Sequence, residues 1–230
     1  MIPSWLPALA GIPAAAGALA WGAYHPASAL FGPVMRRLPS DGMLALTFDD
    51  GPNPAITPQL LDLLDRHEAR ATFFLIGQFA RACPALVRDI AARGHAIGNH
   101  TETHPRLLFL SPRQVLKELV DCQQSIAGIT GTAPSLMRPP FGARGPQLRT
   151  AIEQSGLEQV VTWTRLLHDW SPRGKQRLIA RLRCVRGGEV LVFHDGSHTA
   201  LDADRTATLR ALEHWLPRWK DAGLATVSLH

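Results

Sequence analysis

The chain is poor in cysteine, tyrosine and lysine, and these scarcities exclude several classes of protein. Its three cysteines, Cys83, Cys122 and Cys184, lack CxxC spacing, which excludes a disulfide framework and a thiolate zinc site. The 24 basic residues, nearly all arginine, outnumber 19 acidic ones. No basic run is interleaved with aromatic side chains, as a stacking platform for nucleic acid requires. We therefore expect no nucleic-acid partner.

Apolar residues are abundant enough for a packed core. Hydrophobic residues make up 46% of the 230 positions and charged residues 19%, which excludes disorder for the bulk of the chain. The densest basic stretch, residues 173–186, has two interpretations: a solvated helix face, or a contact surface for an anionic substrate or lipid head group. The length suits one domain with a short appendage.

Charge is absent from the first 35 residues, and residues 5–23 are continuously apolar or small. This length approaches a membrane span, and Arg36 and Arg37 follow it. Three interpretations stay open: a membrane anchor or membrane-associated segment, a cleaved signal peptide with a small-x-small site at residues 18–20, and an apolar arm buried on the domain.

This segment also predicts the domain boundary and the location of the protein. We expect residues 1–40 to be membrane-associated or signal-like and residues 41–230 to form the catalytic domain. The protein is then membrane-associated or exported to the cell envelope, and the side of the membrane stays open.

Short apolar runs alternate with amphipathic stretches from residue 43 onward. The predicted strands span residues 43–48, 71–75, 96–98, 136–138, 159–163, 190–193 and 225–229. The predicted helices span residues 57–67, with Thr57 as N-cap, and 80–93, 111–129, 146–155, 174–185 and 204–222. This α/β alternation favours parallel strands with outer helices, in a distorted (β/α) barrel of about seven units. A doubly wound open sheet is the alternative.

Polar side chains follow five of these strands. They are Asp49-Asp50, residues 99–105, residues 138–142, residues 168–170 and residues 194–196. Catalytic groups of such folds lie at the carboxyl ends of the strands, so we expect these clusters to meet at one mouth.

Two of these clusters have the composition of a catalytic metal site. His100 and His104 need a third ligand, which a carboxylate of Asp49 or Asp50 can supply. The other carboxylate would then be free to accept a proton from water. Arg138 is a candidate to hold that carboxylate through a bidentate pair.

Hydrolysis of an amide also requires an acid for the leaving nitrogen. His194 is a candidate, and Asp169 could orient it and raise its pKa. Proximity alone does not select His194, because His168, His198 and Asp195 are close in sequence.

These clusters together resemble a known family. The segments TFDDGP (47–52), HTETH (100–104), RPPFG (138–142), DW (169–170) and VFH (192–194) are similar to the five ordered motifs of the polysaccharide deacetylases. That family is the NodB-homology domain of carbohydrate esterase family 4. The resemblance implies a distorted (β/α) barrel and one divalent metal ion, usually zinc, with cobalt, manganese or nickel as alternatives.

The resemblance also implies a role for each matched residue. Asp50, His100 and His104 would hold the metal. Asp49 would be the general base, and Arg138 would orient it. The remaining matched positions would complete the site: the Phe141 N–H would stabilise an oxyanion, Asp169 would tune His194 as general acid, and Trp170 and Val192 would wall the acyl pocket.

Two positions depart from the family pattern. Phe141 stands where tyrosine is usual, which keeps a backbone donor but loses a phenol contact to substrate. Val192 stands where leucine is usual, which leaves more room beside the acyl group. Neither position is an implied metal ligand or proton-transfer residue, so we expect an active enzyme.

The function implied is hydrolytic removal of N-acetyl groups from a glycan containing N-acetylglucosamine, such as a chitin oligosaccharide or peptidoglycan. One alternative is a deacylase or deformylase of a lipid-linked amino sugar, favoured by the uncharged first 35 residues. Another is a carbohydrate-binding relative without turnover. The expected partner is therefore an N-acetylated glycan, with membrane association through residues 1–35 as a further expectation.

Overall fold

Eight parallel β-strands form one curled sheet in the computed structural model, which describes residues 16–230. In chain order the strands are β1 (Met43–Gly51), β2 (Thr72–Leu75), β3 (Ala96–Asn99), β4 (Leu136–Met137), β5 (Gln159–Val160), β6 (Arg165–Leu166), β7 (Val190–His194) and β8 (Ala225–Val227). Their order in the sheet is β5-β4-β3-β2-β1-β7-β6, and β8 pairs with β1.

This order is that of a barrel and not of a doubly wound sheet. The first five strands are neighbours in sequence order, and β7 returns to pair with β1. A doubly wound sheet would instead reverse its order at a switch point. The ring is interrupted between β5 and β6, where the structure describes no ladder, so the predicted distorted (β/α) barrel is confirmed.

Between residues 43 and 230, seven α-helices surround the strands. They are α1 (Thr57–Arg66), α2 (Gly77–Ala82), α3 (Pro84–Ala92), α4 (Pro112–Thr130), α5 (Pro146–Ser155), α6 (Pro172–Leu182) and α7 (Thr206–Asp221), with 3-10 turns at Leu107–Phe109 and Pro140–Gly142. On β1, Leu44, Leu46 and Phe48 pack in the main core with the helices, whereas Ala45 belongs to a separate core cluster. Because side chains alternate along a strand, Asp49 lies on the same face as Ala45.

The elements differ from the prediction in three places. The helix predicted over residues 80–93 is divided into α2 and α3, because Pro84 lacks an N–H and begins a new helix after the non-helical Cys83. Thr57 is not an N-cap but the first residue of α1, and its hydroxyl accepts the N–H of Asn53 at 2.9 Å. The prediction also missed β6, whose two residues are too few to show a periodic pattern.

Residues 23–38, which we call the N-terminal strap, run along the gap between β5 and β6. The N–H of Met35 donates to the carbonyl of Val160 at 2.9 Å, on the β5 side. The N–H of Leu38 donates to the carbonyl of Gly188 at 3.0 Å, just before β7. The strap therefore connects β5 to the segment that precedes β7.

The predicted membrane-associated or signal-like segment lies partly outside the described residues, which begin at residue 16. Residues 16–24 are helical. Four large apolar side chains between residues 16 and 30 are exposed: Leu19, Trp21, Tyr24 and Leu30. None of the helices in the described part of the chain is both long and apolar enough to cross a membrane. The domain boundary at residue 40 stays a prediction.

Candidate active site

A β-bulge at the end of β1 directs two neighbouring carboxylates to one site. Asp49 pairs with Phe74 of β2, but the next residue in register with β2 is Gly51, so Asp50 is the extra residue. Asp50 has a φ of 68°, in the left-handed region. A bulge re-aims side chains that would otherwise point to opposite faces of the sheet. Asp49 and Asp50 therefore both reach the cavity described below.

Asp50, His100 and His104 form a buried cluster whose ligand atoms lie within 4.8 Å of one another. Nε2 of His100 lies 3.4 Å and Nε2 of His104 3.1 Å from Oδ1 of Asp50. Burial by itself raises the pKa of Asp50, but the surrounding histidines outweigh it and hold this pKa well below its usual value. The cluster brings together the three residues that the resemblance implies as metal ligands.

The donor set fits a divalent metal ion of the zinc type. Nδ1 of His100 lies 2.7 Å from the carbonyl oxygen of Arg138, an arrangement that leaves Nε2 facing Asp50. Oδ1 of Asp50 and Nδ1 of His104 are buried without a hydrogen-bond partner in the described structure. A buried carboxylate oxygen between two imidazoles is satisfied by a cation, and two histidines with one carboxylate are a catalytic zinc set.

Asp49 is held by a fully buried arginine. Nη1 of Arg138 donates to Oδ1 of Asp49 at 2.8 Å and to the hydroxyl of Thr47 at 2.7 Å. Nη2 donates to the carbonyl of Thr162 at 3.2 Å, and the guanidinium lies 4.2 Å from the ring centre of Phe74. The ion pair thus uses one nitrogen of Arg138, and the expected bidentate pair is wrong because the other nitrogen binds a backbone carbonyl.

His194, which is half-buried, and the fully buried Asp169 form a second pair. Nδ1 of His194 lies 2.8 Å from Oδ1 of Asp169, while Oδ2 of Asp169 accepts the N–H of His194 and the hydroxyl of Thr208, both at 2.8 Å. Burial lowers the pKa of His194, but the Asp169 carboxylate outweighs it and raises this pKa to about 9. Nε2 of His194 is then the nitrogen left for a ligand in the cavity.

Residues 139–144, which we call the rim loop, contain the last four residues of the RPPFG segment and lie at one side of the site. Phe141 has a φ of 58°, and Gly142 a φ of 66° where a Cβ would lie 2.3 Å from the Trp163 ring. Such conformations are costly for non-glycine residues and persist where the surroundings impose them. The backbone hydrogen bonds described for this loop use the N–H groups of Gly142, Ala143 and Arg144, and not that of Phe141.

One cavity of about 520 Å³ joins these groups. Eight of the ten predicted site residues line it: Asp49, Asp50, His100, His104, Phe141, Trp170, Val192 and His194. The other two, Arg138 and Asp169, lie behind it and contact Asp49 and His194. The ring of Trp170 packs edge-on against His194 with 4.6 Å between ring centres. The clusters expected to meet at one mouth therefore do so.

Sequence reasoning did not assign several other residues that line the cavity. They are Pro139, Gly142, Trp163, Leu166, Ser197, His198, Thr199 and Arg205. His198 stacks on His104 with 4.4 Å between ring centres, and its Nδ1 lies 3.6 Å from Oδ2 of Asp50. In the sequence, the signal for His198 was its proximity to His194. That proximity could not show where each of the two histidines lies in the site.

Asp195, the other neighbour of His194, is buried behind the cavity instead of lining it. Its Oδ2 accepts the hydroxyl of Thr57 at 2.5 Å, and its backbone carbonyl accepts the side-chain amide of Asn53 at 2.9 Å. Burial raises the pKa of Asp195 to about 7. These contacts fix the turn after β1 and leave His194 as the residue of this cluster that pairs with Asp169.

Comparisons with known proteins agree on one family. A family model described as polysaccharide deacetylase matches residues 36–160. The peptidoglycan-N-acetylmuramic acid deacetylase PdaC of Bacillus subtilis is 37% identical over 166 residues, which are 72% of this chain and 35% of PdaC. The chitooligosaccharide deacetylase of Sinorhizobium fredii is 36% identical over 206 residues, which are 85% of this chain and 95% of that protein.

A solved structure gives the same result for the fold. The family 4 carbohydrate esterase from Streptomyces lividans, in complex with acetate, is similar with a TM-score of 0.72 and 33% identity. The similarity covers 81% of this chain and 92% of the esterase. The match therefore extends over most of the chain.

Proposed function

The chain belongs to the polysaccharide deacetylase family, and on that basis we propose that it hydrolyses the N-acetyl groups of a glycan containing N-acetylglucosamine, releasing acetate. The observation that carries this proposal is the single cavity shared by the Asp50–His100–His104 cluster, Asp49 and His194. The two relatives act on peptidoglycan and on chitooligosaccharides, and this supports the substrate class.

We propose that Asp50, His100 and His104 hold one divalent cation, zinc. When bound, such a cation lowers the pKa of a water molecule and polarises the acyl carbonyl. Two of the three side chains are preorganised for this role, because Asp50 is positioned by the bulge in β1 and His100 by the carbonyl of Arg138.

Different side chains then carry out the two proton transfers of amide hydrolysis. Asp49, held by Arg138, accepts a proton from the attacking water as its oxygen bonds to the acyl carbon. The N–H of Phe141 donates to the oxyanion of the tetrahedral intermediate. Nε2 of His194 delivers a proton to the nitrogen as the C–N bond breaks, which releases acetate and a free amine.

The apolar wall of the cavity suits a small acyl group. Trp170, Val192 and Leu166 line the side of the cavity where His194 lies. We propose that the acyl methyl group lies against this wall, with the acyl carbonyl oxygen toward the Phe141 N–H. We propose that this wall selects the acetyl group over larger acyl groups, because additional methylene groups would be crowded against the wall side chains.

The test of the proposed function is acetate release from an N-acetylglucosamine pentamer by the full chain, with and without a chelator. We expect release that stops when the chelator removes the metal and returns when zinc is added. Release that is indifferent to the chelator would overturn the metal-dependent mechanism. Absence of release from the pentamer, with zinc bound, would favour a wall-embedded or lipid-linked amino sugar as substrate.

The pH dependence of turnover tests the His194–Asp169 pair. His194 donates a proton only while protonated, so its raised pKa predicts that kcat falls as pH rises through about 9. In Asp169→Asn the charge that raises this pKa is lost. The pH at which kcat falls on the alkaline side should therefore decrease by about one pH unit or more. Thr208→Val keeps the charge and serves as the matched control. An unmoved alkaline limb in Asp169→Asn would exclude His194 as the acid.

A further inference from the structure

Arg144 is a buried arginine that binds the N-terminal strap instead of an acid. It is 1% exposed, and within residues 16–230 no carboxylate lies at ion-pair distance from it. Its Nη1 donates to the carbonyl of Ser28 at 2.6 Å and its Nη2 to the carbonyl of His25 at 2.5 Å. Burial lowers the pKa of Arg144, since no negative charge opposes the desolvation. A buried cation is costly, so its two strap carbonyls are structurally important partners.

The same residue is the last one of the rim loop. Its backbone N–H donates to the carbonyl of Ala23 at 3.0 Å. Arg144 thus joins the strap to the loop through three hydrogen bonds, three residues beyond Phe141. The left-handed conformation of Phe141 is one that the surroundings must maintain, and this attachment is part of those surroundings.

A second connection joins the strap to the Asp49–Arg138 pair through Thr162. The hydroxyl of Thr162 donates to the carbonyl of Pro26 at 2.8 Å, and its N–H donates to the carbonyl of Met35 at 2.8 Å. The carbonyl of Thr162 accepts from Arg138. One residue therefore separates the strap from the arginine that holds Asp49.

We propose that the N-terminal strap is a positioning element of the active site, with Arg144 and Thr162 as its positioning residues. Arg144 fixes the rim loop that presents the Phe141 N–H, and Thr162 fixes Arg138. Residues 23–35 of the strap precede the region matched by the family model, so the assignment comes from this chain's own contacts. The inference rests on the proposed deacetylation, because it states which step the strap supports.

The test compares full-chain Arg144→Met and Arg144→Lys with Arg149→Met, an exposed arginine on α5. Methionine removes the donors without leaving a buried charge. We expect kcat on the N-acetylglucosamine pentamer to fall about 10- to 100-fold in Arg144→Met, with KM and zinc affinity little changed. Arg144→Lys should recover part of the loss, since its single charged nitrogen can still donate to a strap carbonyl, and Arg149→Met should match the wild type.

Hydrogen exchange gives a readout that does not depend on activity. Peptides covering residues 139–144 should exchange faster in Arg144→Met than in Arg149→Met at a temperature where both are folded. Thr162→Val, which removes only the hydroxyl bond to Pro26, should lower kcat about fivefold. This variant tests the same inference if Arg144→Met does not fold.

Two results separate failure of this inference from failure of the proposed function. A wild type that deacetylates, with strap variants that keep its kcat and its loop exchange but melt at lower temperature, would show that the strap only stabilises the fold. A wild type without deacetylase activity would overturn the proposed function and with it the catalytic role of the strap.

Discussion

Asp49→Asn should lose nearly all turnover and keep its zinc. The amide cannot accept a proton from water, so we expect kcat to fall by about two to four orders of magnitude. Its carbonyl oxygen can still accept from Arg138, and the Asp50, His100 and His104 side chains are untouched. The measurements are acetate release from the pentamer and the zinc content of the purified variant.

Asp202→Asn is the matched control for this substitution. Asp202 is exposed and does not line the cavity, so the same change of charge there should leave kcat and zinc content unchanged. Full turnover by Asp49→Asn would contradict its role as the base. Loss of zinc in this variant would instead show that Asp49 belongs to the metal-binding set.

His100→Ala should lose the metal itself. His100 is one of the three proposed ligands in a buried cluster, and alanine leaves no donor in its place. We expect zinc affinity to fall more than about 100-fold, since changes to residues that merely support ligands already cost 10- to 100-fold. Turnover should drop to background at zinc concentrations that saturate the wild type.

Thermal unfolding gives this prediction a second readout. Zinc that binds only the folded state raises the unfolding free energy, by about 2.7 kcal/mol at a hundred times Kd. We expect this rise in the wild type and in His230→Ala, which alters the exposed C-terminal histidine, and its loss in His100→Ala. An equal zinc-dependent rise in His100→Ala would place the metal elsewhere.

The barrel was predictable because its strands and helices carry different periodicities. Strands such as β1 and β7 are continuous apolar runs that end in polar clusters, and this pattern needs no tertiary information. β6 has two residues and no pattern, so it could not be predicted. The break between α2 and α3 was readable from Pro84, but the apolar spacing on both sides suggested one helix.

The site was predictable in its residues but not in its geometry. The carboxylates, histidines and arginine stand at strand ends, where chemistry is expected. That Asp50 is a bulged residue, and that Arg138 uses one nitrogen for Asp49, depends on strand pairing that the sequence does not display. The strap contacts escaped prediction because their acceptors are backbone carbonyls, which every residue has.

Arg138 serves two parts of the site with different atoms. Its guanidinium holds Asp49, and its own carbonyl oxygen binds Nδ1 of His100. The proposed proton acceptor and a proposed metal ligand are therefore linked through one residue, whose backbone N–H in turn donates to the carbonyl of Asn99 at 2.9 Å. We expect a lysine at this position to shift Asp49 relative to His100, even though the charge would be conserved, because its side chain is shorter and carries one nitrogen in place of the guanidinium fork.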